Sequence, residues 1–131
     1  MKKLRQQLED RVEFIEQAYE EANRPRVDFS VYPEDIRSNR ENNYHAVVLV
    51  EAARKIEREN GLGEIDWSNP NQYKYAPWFR MNPSAFVFRG SDCVRSDATA
   101  GSGSRLRVLD RTTSDYLGEK FPEVWKEVQL G

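Results

Sequence analysis

The chain has 131 residues, 38% of them hydrophobic and 32% charged, with 20 Lys and Arg against 22 Asp and Glu for a net charge of -2. That length leaves no room for a second independent core, and the near balance of charge excludes both a strong overall field that gathers phosphates and the acidity of a nucleic-acid mimic. The single Cys93 and single His45 exclude an internal disulfide framework and any zinc site not completed by carboxylates, while six Phe, six Tyr and three Trp supply apolar bulk that a disordered chain lacks.

The opening MKKLRQQLEDRVEF carries charge throughout and so lacks the apolar run of a signal peptide. No segment has the length to span a bilayer, and a cytoplasmic protein is expected. Leu4, Leu8, Val12, Ile15, Ala18, Tyr19 and Ala22 recur at steps of three and four, which predicts one amphipathic helix of about five turns over residues 2–22. Arg5 and Glu9 are spaced for an i,i+4 pair, and Asn23-Arg24-Pro25 ends the helix. Its stripe is expected to pack on the rest of the chain, with a partner helix as the alternative.

Val27, Phe29, Val31 and Tyr32 alternate like a short strand, and Pro33 opens a turn. Ser38-Asn39-Arg40-Glu41 matches a capping box, which predicts a second helix running to Asn60-Gly61. Tyr44, Val47, Val48, Leu49, Val50, Ala52, Ala53 and Ile56 cover more than one stripe of that helix and make it the central, most buried one. From Tyr73 the pattern changes to aromatic and β-branched runs, YKYAPWFRM, AFVFRG and RLRVLD, which read as strands, with Pro77 at an edge, bulge or boundary. Phe86 and Phe88 share one strand face, and Leu106 with Val108 oppose Arg105 with Arg107. Ser96 to Ser104 reads as a flexible connection between strands. Thr112 or Thr113 caps a final helix with Tyr116, Leu117, Phe121, Val124, Trp125 and Val128 on its apolar side, interrupted at Pro122. The expected fold is a single α+β domain over residues 1–131, with an amphipathic helix at 1–24 and the core helix, sheet and C-terminal helix at 25–131. A small antiparallel sheet of about three to four strands is expected to be covered on one face by two long N-terminal helices and a short C-terminal helix.

No set of residues names a reaction. Gly101-Ser102-Gly103-Ser104 lacks the Lys and helix start of a phosphate-binding P-loop and reads as a plain loop. His45 is the sole conventional base and has no triad partners nearby in sequence, Cys93 reads as a small, partly buried apolar residue, and Glu64, Asp66, Asp92, Asp97 and Asp110 match no metal loop. A non-enzymatic protein without cofactor or metal is therefore expected. Between Tyr73 and Arg111, seven basic residues face three acids with aromatics interleaved. Tyr73, Lys74, Tyr75, Trp78, Arg80, Arg89, Arg95, Arg105 and Arg107 form the candidate contact surface, for a protein partner or for single-stranded nucleic acid held by stacking and phosphate contacts. The plainer alternative makes the aromatics the core of a small sheet and the arginines its wet face.

The segment Asp66-Trp67-Ser68-Asn69-Pro70-Asn71-Gln72-Tyr73-Lys74-Tyr75-Ala76-Pro77-Trp78-Phe79, with Gly103-Ser104-Arg105-Leu106 and Tyr116-Leu117-Gly118-Glu119-Lys120-Phe121, resembles a group of uncharacterised proteins of gut anaerobes and their phages or prophages. The likeness spans about residues 40 to 128. It implies a small accessory protein of a mobile element that works by binding a host protein or ribonucleoprotein, such as a CRISPR effector or another defence nuclease.

Overall fold

The computed structural model describes residues 3–69, 71–82, 85–95 and 104–130, with the backbone alone at 78, 80–82, 85–87, 89, 92–95 and 104. The apolar stripe of the first 22 residues is helical and turned inward, but over two helices, α1 (Leu4–Arg11) and α2 (Ile15–Ala22). The predicted unbroken helix fails at Val12, which leaves helical geometry at φ -133°, ψ 57°. The break is held by distant and local partners. The Tyr116 hydroxyl donates to the Val12 carbonyl at 2.5 Å, and the Gln17 side-chain oxygen accepts the Glu13 N–H at 2.6 Å. Leu8, Val12, Ala18 and Tyr19 are buried, so the stripe packs within the chain, and Arg5 Nε meets Glu9 at 3.1 Å as its spacing requires. Asn23, at φ 53°, ends α2 in the left-handed conformation.

No strand forms at Val27 to Tyr32. Asp28 accepts the Ser30 N–H at 2.9 Å and starts a short 3-10 turn, Phe29–Val31. Helix α3 (Glu34–Glu59) then begins directly after Pro33, one turn ahead of the expected capping box, leaving Ser38 inside the helix. Pro33 fixes the approach, and Glu34 and Asp35 complement the positive end of the helix dipole, so no serine cap is required. The far end closes as expected. Gly61, at φ 84°, donates to Arg58 O at 3.0 Å and Leu62 donates to Glu57 O at 3.1 Å, which satisfies the last carbonyls. Ala46, Val48, Leu49, Val50, Ala52, Ala53 and Ile56 make α3 the most buried helix.

The sheet has two strands among the described residues rather than three to four. β1 (Tyr73–Asn82) and β2 (Ala85–Arg95) pair antiparallel, Tyr73 opposite Arg95 and Asn82 opposite Ala85, with a register shift between Trp78 and Phe79. Pro77 sits beside that irregularity, as a residue without an N–H should. The expected third strand shrinks to one bridge, Tyr75 with Val108, at 2.8 and 3.0 Å. Ser104–Leu106 winds into a 3-10 turn and Asp110 already caps the next helix, so too few extended residues remain to form a strand. Residues 96–103 of the expected strand connection lie outside the described residues.

Helix α4 (Arg111–Lys120) is capped by Asp110, which accepts the Thr112 N–H at 2.7 Å, so neither Thr112 nor Thr113 is the cap. The break foreseen at Pro122 is real, and α5 (Pro122–Leu130) restarts with proline in its first turn. The covering helices are also not those expected. The sheet lies on α4, with α5 touching β2, while α1 and α2 pack against α3 and α4. The class remains α+β, with a core of Leu8, Leu49, Ile56, Val108, Leu117 and Trp125 between the two groups of helices and the sheet.

Candidate interaction surfaces

The nine residues singled out in the sequence separate in space. Lys74 is fully buried, its ammonium donating to the carbonyls of Gln72 at 3.1 Å and Asn69 at 3.4 Å and lying 5.2 Å from the Trp67 ring centre. It is an internal cation rather than a solvent-facing contact, a correction whose reason is the segment before β1: alternation puts Lys74 on the face opposite Tyr75, Pro77 and Phe79, and Trp67 and the carbonyls of Asn69 and Gln72 cover it there. Tyr73 is exposed at the start of β1, and Tyr75 is half-buried beneath the Arg111 guanidinium at 5.1 Å. Arg105 leaves the sheet altogether, reaching Glu51 on α3 at 2.8 Å, and Arg107 is half-buried in the segment before Val108. Trp78 and Arg80 lie on the β1 backbone and Arg89 and Arg95 on that of β2, with side chains outside the described set. Phe79 and Phe88 meet edge to face at 5.7 Å and turn inward, as alternation requires for Phe88.

His45 is a packed histidine. Its Nδ1 lies 2.8 Å from the Tyr19 hydroxyl and its Nε2 3.4 Å from Glu41, an arrangement suited to a neutral imidazole accepting from tyrosine and donating to the carboxylate. Burial pushes its pKa below the usual histidine value, against the pull of Glu41. Burial likewise lifts the Tyr19 hydroxyl to about 12, so the tyrosine stays protonated near neutrality. Glu64 bridges Arg54 at 3.0 Å and Arg58 at 3.3 Å, Asp66 holds Ser68, and Asp110 caps α4. No three or more His, Cys, Asp or Glu among the described residues cluster to hold a metal ion. The side chains of Asp92 and Cys93, and Asp97 entirely, lie outside that set.

A second surface emerges from the stretch read as a strand. Val27, Val31, Tyr32 and Ile36 all stand exposed, Val31 at 82%, on the 3-10 turn, the residues beside it and the first turn of α3, which carries Ile36. Arg37 donates to the carbonyls of Tyr32 at 2.9 Å and Ser30 at 3.3 Å, Tyr44 donates to Pro25 O at 2.9 Å, and the Phe29 ring stacks on Tyr32 at 6.1 Å. Apolar side chains on an ordered, solvent-facing turn are the usual mark of a contact surface. Its sequence signal was Ile36, an apolar residue alone in the charged run EDIRSNRE.

No family model, curated protein or solved structure matches the chain. No helix among the described residues is long and apolar enough to cross a membrane.

Proposed function

We propose that this chain is a non-enzymatic binding protein that occupies the surface of a protein partner through Val27, Val31 and Tyr32, in and beside the 3-10 turn, and Ile36 at the start of α3. The observation that supports this most is the combination of exposure and order: the four apolar side chains face solvent while Arg37, Tyr44 and Asp28 fix the backbone beneath them. A surface already ordered loses less conformational freedom on association than a mobile one, which lowers one part of the cost of binding. Asp28, Glu34 and Asp35 flank the turn together with Arg26 and Arg37, a mixed rim that suits a partner presenting charges of both signs around an apolar hollow. The phage-family resemblance points to a protein of the bacterial host as that partner.

The alternative, single-stranded nucleic acid held on the basic and aromatic strands, loses support because Lys74 is buried and Arg105 is engaged by Glu51. A pull-down from host lysate with the full chain, beside Val31→Asp and Ile36→Asp, tests the proposal. A stoichiometric host protein retained by the wild type and lost from both variants, with unchanged melting temperatures, is the expected result. Retention by both variants, or no stoichiometric partner, overturns it. Oligonucleotide binding that weakens steeply between two salt concentrations would put the alternative in its place.

A further inference from the structure

Glu51, Arg54, Lys55 and Arg58 repeat at three, four and seven residues, which aligns them along one side of α3. That side lines two clefts. The first, about 430 Å³, lies against the end of α2 and adds Glu21 and Arg24. The second, about 300 Å³, adds Val50, Ile65, Trp67 and Arg105, and shares Glu51 and Arg54 with the first as a common wall. Volumes of this size are those of small-molecule sites.

The charge of the lining is unlike that of the whole chain. Five cations, Arg24, Arg54, Lys55, Arg58 and Arg105, meet two carboxylates, Glu21 and Glu51, in a protein of net charge -2. Glu51 is already engaged, by both nitrogens of the Arg24 fork at 2.8 and 2.7 Å and by Arg105 at 2.8 Å. Glu21 is likewise held by Arg11 at 2.7 Å and Lys55 at 3.2 Å. Arg54 and Arg58 share Glu64, at 3.0 and 3.3 Å, so each of the five cations has a carboxylate partner, but three carboxylates, of which Glu21 is shared with Arg11, leave the cluster net positive. The carboxylate that the Arg54 terminal nitrogen meets belongs to the largely exposed Glu64, a partner that solvent screens and a phosphate can displace. The two compartments differ in chemistry. The first is polar and rich in guanidinium and ammonium donors, suited to phosphate oxygens; the second offers an indole and two aliphatic side chains beside Arg105, suited to a flat ring.

We propose that the two clefts form one site for a nucleoside phosphate, with phosphate groups among Arg24, Arg54, Lys55 and Arg58 and the base against Trp67, Ile65 and Val50. This site is separate from the apolar turn, and Val31→Asp should leave it untouched. Titration calorimetry with ATP, AMP, pyrophosphate, adenosine and a short single-stranded oligonucleotide tests it on the full chain. ATP is expected to bind, with adenosine and pyrophosphate each at least about tenfold weaker because each fills only one compartment. Trp67→Leu should cost ATP about tenfold and leave pyrophosphate unchanged. Arg54→Gln and Lys55→Gln should each weaken ATP about tenfold, and Lys55, whose side chain is 43% exposed, can be replaced without disturbing the fold. Absence of ATP binding, pyrophosphate binding as tightly as ATP, or indifference of ATP to Lys55→Gln and Trp67→Leu overturns the proposal. Binding of the oligonucleotide without any mononucleotide does so as well, since it would assign the cations to a strand backbone.

Discussion

Two buried titratable groups set opposite dependences of stability on pH. Glu57 accepts the Leu109 N–H on both carboxylate oxygens, at 3.0 and 3.1 Å, and the Asp110 N–H at 2.9 Å, tying the segment before α4 to α3. Burial raises its pKa above the usual glutamate value, and the amides oppose that rise without cancelling it. The folded chain therefore binds more protons than the unfolded one between the two values, so the contribution of Glu57 to stability falls as pH rises from its ordinary pKa through its folded one. His45 works the other way. Burial lowers its pKa, Glu41 on α3 and Glu16 on α2 raise it and Arg26 lowers it further, so its contribution is complete above the ordinary histidine value and is lost as pH falls through the depressed one. Glu57→Gln removes the first slope and places an amide NH₂ toward backbone N–H groups. Urea unfolding at a series of pH values should show a loss of about 1–3 kcal/mol near neutrality, from the unsatisfied donors, and a steeper rise of stability with pH over the mildly acidic range than in the wild type. An unchanged pH profile in the variant would mean that Glu57 does not titrate on unfolding.

At the level of elements, Gly118 opposes local preference to packing. It lies inside α4, where helix propensity alone makes Gly→Ala stabilising by about 1 kcal/mol. A Cβ at that position would run into the Phe88 ring and stand 2.7 Å from Pro77 Cβ, too close for either neighbour to remain in place. Gly118→Ala should therefore lower stability by about 1–3 kcal/mol, read as a drop in the urea midpoint. A rise would show that β1 and β2 yield easily. The same contrast explains which boundaries were legible in the sequence. Helix ends at Asn23, Gly61 and Pro122 depend on backbone chemistry carried by one or two residues, and the sequence places all three, although the first is set by Asn23 itself rather than by Pro25. The break at Val12 was not, because it is completed by Tyr116, 104 residues away. Alternation in Arg105 to Val108 suggested a strand, but its first residues wind into the 3-10 turn and Glu57 and Asp110 take the amides directly after it, at 109, 110 and 112. Lys74 is buried not by alternation but by the loop before β1, where carbonyls of residues 69 and 72 accept from it, a destination that strand pattern alone cannot reveal.

Across the whole molecule, the stripe of Arg54, Lys55 and Arg58 could have been read from spacing on α3, whereas Arg24 and Arg105 join it only through the folded path of the chain. That path also divides the structure into parts of unequal strength. Helix α3 is flanked by α1, α2 and α5, whereas the hairpin of β1 and β2 reaches the rest through α4, α5 and the Tyr75–Val108 bridge. Two strands alone bury too little to stand by themselves in water, so the hairpin draws its stability from the face of α4 that Gly118 keeps clear. Hydrogen exchange should consequently show the slowest amides in α3 between residues 46 and 56, with the hairpin opening at a lower free energy as one unit. Gly118→Ala separates local from global effects. The variant should speed exchange in residues 73–82 and 85–95 more than in α3, because the added methyl strains the α4–sheet contact and leaves the packing of α3 on α2 and α5 intact. Equal acceleration in both regions would mean that the hairpin and α3 open only together, and the molecule would then have to be treated as one cooperative unit.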